Sequence, residues 1–159
     1  MNYYIIEPEV AGEIGENTLY DNCCEISNFK ATPLISHLHF VFEGWLGDEL
    51  LEVTPCFLIS ERLRKEFESR GISGCDFSDV EISYNDVFWE LYPDRVIPKF
   101  YRLIPLKTVM IDNNEYSDQV MFDIMLSQKK YLVISEKVKK MLTDMGVADN
   151  SDYTKLKKR

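Results

Sequence analysis

Leu58-Ile59-Ser60-Glu61-Arg62-Leu63-Arg64-Lys65-Glu66-Phe67-Glu68-Ser69-Arg70-Gly71-Ile72 aligns without a gap on Val133-Ile134-Ser135-Glu136-Lys137-Val138-Lys139-Lys140-Met141-Leu142-Thr143-Asp144-Met145-Gly146-Val147, at a constant offset of 75 residues. Identities fall at Ile, Ser, Glu, one Lys and Gly, and most other pairs exchange like for like. An internal repeat of this kind marks a recurring supersecondary unit. Cys56 to Ile59 and Tyr131 to Ile134 are short apolar runs that read as buried strands. Ser60 and Ser135 suit the helix N-cap, where a hydroxyl accepts from otherwise unpaired amides of the first turn. Glu61 and Glu136 then meet the positive end of the helix dipole. Val138, Met141, Leu142 and Met145 form an apolar stripe in the second copy, and Leu63 and Phe67 a thinner one in the first. Gly71 and Gly146 are placed to end the helices in the left-handed conformation, with Ile72 and Val147 folding back on the last turn. Repetition at two helix starts gives the Ser-Glu pairs a structural rather than a catalytic reading.

Outward from the repeat, the remaining elements are shorter. Tyr3 to Glu7 reads as a strand ended by Pro8 and Gly12. His37 to Phe42 reads as another strand, followed by a turn at Gly44-Trp45-Leu46-Gly47 and a segment, Asp48 to Val53, that pairs back on it. Phe77 to Ser83 alternates as one half-buried strand, and Phe100 to Ile104 and Phe122 to Leu126 are further strands. Asp112-Asn113-Asn114 marks a turn. The expected class is α+β: two related strand–helix units, about residues 37–84 and 99–147, with mainly antiparallel strands and helices packed on the sheet. The 159 residues suit a single domain, or two lobes spanning 1–85 and 99–147 joined by a linker, 86–98. Residues 148–159 show no apolar face and read as a loose tail.

Composition narrows the function. No apolar run approaches the roughly 18 residues of a membrane span, and the N-terminal residues lack a signal-peptide pattern, so the expected location is cytoplasmic. Cys23, Cys24, Cys56 and Cys75 contain no Cys-x-x-Cys, and they read as free structural thiols. The net charge is −9, but Lys155, Lys157, Lys158 and Arg159 crowd the last five positions. Residues 1–154 hold 14 cations against 27 carboxylates, a net −13. An acidic body disfavours nucleic acid and anionic membrane and attracts a basic protein partner. Four cations on a frayed end give weak, salt-sensitive contact at most, so the tail reads as solvated.

Signatures of catalysis are sparse. Phosphate-binding loops, a dinucleotide fingerprint and a nucleophile elbow are all missing from the sequence. His37 and His39, two apart on a strand, share a face about 7 Å apart and either chelate a metal with Glu43 or are simply polar outward positions. No cofactor or metal is assigned, and a small metal-dependent enzyme using His37 and His39 is the alternative reading. A scaffold module that self-associates through an exposed strand edge is a second alternative. Two acidic-aromatic stretches, Glu43 to Glu49 and Asp86 to Asp94, combine contact area with steering charge. They supply the candidate partner-binding residues Glu43, Trp45, Asp48, Glu49, Asp86, Trp89, Glu90, Tyr92 and Asp94. The competing reading is that Phe88, Trp89 and Leu91 close the linker onto the core.

Tyr3-Tyr4-Ile5-Ile6-Glu7-Pro8-Glu9-Val10-Ala11-Gly12, Glu16-Asn17-Thr18, Glu43-Gly44-Trp45-Leu46-Gly47-Asp48-Glu49-Leu50-Leu51 and the repeated Ile-Ser-Glu helix start together resemble small bacterial immunity proteins of polymorphic-toxin systems, families long classed as domains of unknown function. The resemblance spans residues 3–147. It implies a non-enzymatic cytosolic antitoxin that binds and neutralises a cognate toxin domain. It carries no functional-residue motif onto named positions.

Overall fold

The computed structural model of the chain describes residues 1–21, 34–44 and 47–159. Cys23, Cys24, Trp45 and Leu46 lie outside the described residues. The architecture is mixed α+β, with two larger sheets, three small ones and three helices among the described residues.

Each long stretch of the repeat forms a strand running straight into a helix. Strand β7 (Cys56–Ser60) enters α1 (Glu61–Ser69), and β15 (Leu132–Ser135) enters α3 (Glu136–Met145). Ser60 and Ser135 are the N-caps, their hydroxyls accepting from the Leu63 and Val138 amides at 3.2 and 3.3 Å. Gly71 and Gly146 both take φ of +64°, and the Ile72 and Val147 amides donate five residues back to the Phe67 and Leu142 carbonyls. A bond of that span through a left-handed glycine is a Schellman closure.

Strand β7 lies in a four-stranded sheet between β6 (Leu50–Val53) and β10 (Phe100–Pro105), with β8 (Cys75–Ser78) beyond β10. Strand β15 lies between β14 (Ile124–Ser127) and β1 (Tyr3–Glu7), with β16 (Asp152–Lys155) beyond β1. A fifth strand, β11 (Thr108–Val109), adds parallel to β14. The two lobes expected at 1–85 and 99–147 do not match this pairing. Strand β1 hydrogen-bonds to β15, and β10 hydrogen-bonds to β7, so each sheet takes a strand from the other half of the chain.

Two-faced burial explains the apolar runs. Side chains alternate across a strand, and Phe57 and Ile59 enter one core with Leu63, Phe67, Ile134, Val138, Met141 and Leu142. Cys56 and Leu58 enter a second core with Phe40, Phe42, Phe88 and Phe100. Val133, Tyr3 and Ile5 line a third core with Val109, Tyr116 and Leu156. Strands buried on both sides need no polar alternation.

Several expectations are corrected. The residues read as a loose tail form β16, paired antiparallel with β1, and β17 (Lys157–Lys158), paired parallel with β13 (Glu115–Tyr116). Leu156 is the anchor, a single apolar residue among cations that is only 3% exposed. One side chain is too little to register as an apolar face in sequence. The expected linker contains α2 (Asp86–Leu91), whose Phe88 is in the second core. The expected strand at 77–83 is two strands. β8 ends at Ser78 as the chain leaves β10, and β9 (Glu81–Tyr84) pairs parallel with β5 (His39–Phe42). The expected strand at 37–42 likewise divides into β4 (Leu34–His37), paired antiparallel with β3 (Leu19–Asp21), and β5. β6 pairs with β7 and not back on β5, whose neighbours are β2 (Gly12–Ile14) and β9. The turn at 112–114 is as expected, with Asn113 and Asn114 in the left-handed region between β12 (Ile111–Asp112) and β13.

Candidate functional site

The parallel strands β5 and β9 run out at Phe42 and Tyr84, and the segments leaving their two ends build one surface. The Asn85 amide donates to the Phe42 carbonyl at 3.0 Å. The Asn85 side chain then caps α2, accepting from the Phe88 amide at 2.9 Å. Phe88 turns inward among Phe42, Tyr84 and Tyr92, with ring centroids 6.0, 4.8 and 5.2 Å away. A six-residue helix pinned by one aromatic must turn its other side chains outward. Val87, Trp89 and Leu91 are accordingly exposed, Trp89 at 46%, and Val96 in the loop after the helix is 91% exposed. Asp86, Glu90 and Asp94 are exposed alongside them, and Tyr92 is half-buried with the Arg95 guanidinium 5.1 Å from its ring centroid.

Glu43 joins this surface from the β5 side. Gly44, with φ of +74°, brings the backbone so near α2 that a side chain there would meet Val87 at 3.8 Å. Glu43 faces Glu13 of β2, and its carboxyl is held above the usual range, first by partial burial and then by Glu13's charge. Of the candidate residues, Glu43, Asp86, Trp89, Glu90, Tyr92 and Asp94 therefore belong to one α2-centred region. Glu13 is an addition that sequence reading missed, because only the β2–β5 pairing sets it beside Glu43.

Asp48 and Glu49 are engaged elsewhere. Glu49 accepts from the Ser60 hydroxyl at 2.8 Å and from Arg62 through Nε at 2.9 Å and through Nη2. Arg62 holds the Glu49 carboxyl below its ordinary range against the opposing effect of burial. The Asp48 amide donates to Glu9 Oε2 at 2.7 Å, and Asp48 Oδ2 accepts from the Asn150 amide at 3.1 Å. Both residues fasten the framework. Trp45 lies outside the described residues.

The two histidines converge on one acid, Glu81, not on Glu43. His37 Nε2 is 3.0 Å from Glu81 Oε1, and His39 Nε2 is 3.4 Å from Glu81 Oε2. Asn17 Nδ2 donates to the same Oε2 at 2.8 Å. Asn17 and then His37 hold the Glu81 carboxyl below its usual range. His39 is 5% exposed and fully tied: its Nδ1 accepts from the Asn17 amide at 3.2 Å, and Nε2 lies 2.8 Å from Ser83 Oγ. Its backbone exchanges hydrogen bonds with Thr18 Oγ1, and its carbonyl accepts from the Gly15 amide at 2.7 Å. With Nδ1 acting as acceptor, the neutral ring carries its proton on Nε2 and donates it toward Ser83 or Glu81. A serine that receives this hydrogen bond is not deprotonated by the ring, so the pair is oriented against nucleophile activation. Among the described residues no group of three or more His, Cys, Asp or Glu is arranged to hold a metal ion.

Cys56 is buried and Cys75 half-buried, both as free thiols. Burial raises the Cys75 thiol to about 11, with the charges of Asp76 and Asp123 adding to it, and burial also raises Cys56. A thiol in that range is a poor nucleophile at neutral pH.

Comparison with protein-family models gave no match for the chain. Comparison with curated proteins likewise gave no match.

Proposed function

We propose that this protein is a non-catalytic binding protein of the immunity class, one that binds a basic toxin domain and neutralises it in the cytoplasm. The observation that carries the reading is the outer face of α2 and the loop after it. Val87, Trp89, Leu91 and Val96 are exposed there beside Asp86, Glu90 and Asp94. Aromatic and aliphatic anchors supply the buried contact of an interface, and flanking carboxylates accelerate encounter with a cationic partner. Val87, Trp89 and Leu91 on the outer side of this helix and Val96 in the loop after it keep large apolar surface in water, although Trp89 also rests edge-on against Tyr84 and Phe88, at ring-centroid distances of 5.2 and 5.9 Å. The tautomer of His39 and the raised thiols support a role without turnover. No helix among the described residues is long and apolar enough to cross a membrane.

The scaffold itself reads as two related units. Three parallels support this beyond the sequence repeat. The strand orders β6-β7-β10-β8 and β14-β15-β1-β16 correspond position by position. Each N-cap serine donates to a carboxylate at the head of its hairpin, Ser60 to Glu49 and Ser135 to Asp123. A helix cation lies over two rings in each: Arg64 over Phe77 and Tyr101, Lys139 over Tyr153 and Tyr4.

The test is capture of a partner by the full chain from lysate of the source cells, with a salt series then run on the purified pair. The expected result is a protein domain of net positive charge whose association rate falls steeply with ionic strength. Recovery of no protein partner at low salt, or turnover of a substrate by the isolated chain, overturns the proposal.

A further inference from the structure

Where the sheet containing β7 and β10 meets β14 and the turn after it, the fold leaves a cavity of about 150 Å³. Its walls include Ile35, Phe57, Leu103 and Leu126, together with two cations, Arg102 and Lys130. Neither cation has an ion-pair partner among the described residues, and both are half-buried. Arg102 Nη1 donates to the Ile35 carbonyl at 2.6 Å, and the buried Cys56 thiol lines the same cavity. Five N–H donors on a guanidinium leave most free after that one bond. A solvated surface lysine needs no counter-charge, but a half-buried guanidinium set among apolar walls gains from one.

We propose that this cavity binds a small monocarboxylate: an anionic head paired with Arg102 and Lys130, and a compact apolar body against Phe57, Leu103 and Leu126. The volume sets the size, since an apolar cavity of about 150 Å³ accommodates a single benzene-sized ring. Inorganic phosphate would leave the apolar walls unfilled, and a long acyl chain exceeds the space. A planar carboxylate matches the guanidinium fork, which favours it over a point anion. The site stands apart from the α2 surface and does not depend on partner binding.

The experiment is an NMR titration of the full chain with benzoate and, separately, with its neutral counterpart benzyl alcohol, monitoring the methyl signals of Ile35, Leu103 and Leu126. Benzoate is expected to saturate these shifts with a Kd of about 1 mM or tighter, and benzyl alcohol to bind at least about tenfold more weakly, the cost of an unanswered charge pair. Lys130 has φ of +69°, a conformation asparagine tolerates, so K130N removes the charge without straining the turn. This variant is expected to weaken benzoate about three- to tenfold while its unfolding midpoint stays unchanged. Absence of methyl shifts at about 10 mM benzoate, equal affinity for benzyl alcohol, or an unaltered Kd in K130N overturns the proposal.

Discussion

Ser60 Oγ donates to Glu49 Oε1 at 2.8 Å while accepting from the Leu63 amide, so one hydroxyl joins the helix start to the strand hairpin before it. Ser135 does the same with Asp123, at 2.7 Å. The backbone repeats the linkage, with the Ser60 and Ser135 amides donating to the Glu49 and Asp123 carbonyls at 2.8 and 2.9 Å. Each helix is thereby held at its strand junction by a two-sided clamp.

Removing either hydroxyl is expected to cost about 1–2 kcal/mol, because an amide of the first turn and a carboxylate lose their shared partner together. Urea unfolding of S60A and S135A checks this, with a lowered midpoint at unchanged slope. A double-mutant cycle of S60A with Glu49→Gln is expected to show coupling of at least about 0.5 kcal/mol. Strict additivity would mean that the clamp is geometric only.

Gly15 lies against the His39 ring, and a β-carbon there would sit 2.2 Å from Nδ1. Gly15→Ala is therefore expected to destabilise by about 1–3 kcal/mol through overpacking. Combining it with His39→Ala should recover part of that loss, since the added methyl then enters the vacated space. Thermal unfolding of the three variants measures the effect, and a double variant worse than the sum contradicts it.

Glu9 is 9% exposed, and its Oε1 has no hydrogen-bond partner among the described residues. Burial is the main force holding its carboxyl above the usual carboxylate range, with Asp48's charge adding to it. A folded-state pKa raised above the unfolded one means the native state binds the proton more tightly. Its stabilising share is complete below the unfolded value and is lost as pH rises through the folded one. Glu9→Gln should thus be more stable than wild type at pH 7, by about 1 kcal/mol, with the difference vanishing near pH 4. Paired melting curves across that interval decide it, and a gap that widens toward acid reverses the sign.

Leu156→Ala is expected to cost about 2–4 kcal/mol, as for other buried leucines, because it empties a place between Tyr3, Val133 and Tyr116. A tail without structural weight would give a change below about 0.5 kcal/mol, read from the same denaturation curves.

Leu91→Ala should leave the stability of the free chain within about 0.5 kcal/mol, since its side chain faces solvent, whereas Trp89→Ala also removes edge contacts with Tyr84 and Phe88 and is expected to cost about 0.5–1.5 kcal/mol. Affinity for the captured partner is expected to fall at least about tenfold in one or both. Unchanged affinity in the double variant would move the interface off α2 while leaving the binding role intact.

The sequence by itself determined the elements whose cause is local. Ser60 and Ser135 cap because an N-terminal hydroxyl meets free amides whatever surrounds it, and Gly71 and Gly146 end helices because only a residue without a β-carbon takes that φ cheaply. The apolar run at 56–59 announced its burial, and the run read as 131–134 did so from Leu132 onward, Tyr131 being exposed ahead of the strand. Which strands pair was decided only by tertiary structure. Nothing local tells β1 to join β15, or β10 to join β7, since hydrogen-bonding edges carry no address and the choice falls to whichever arrangement buries both faces. The same cause hid Glu13 beside Glu43 and Glu81 beneath His37 and His39, contacts made across parallel and antiparallel registers far apart in the chain. It also separated Asp48 and Glu49, drawn inward by Asn150, Ser60 and Arg62, from the acids of α2, which face water because Phe88 alone could be accommodated in the core.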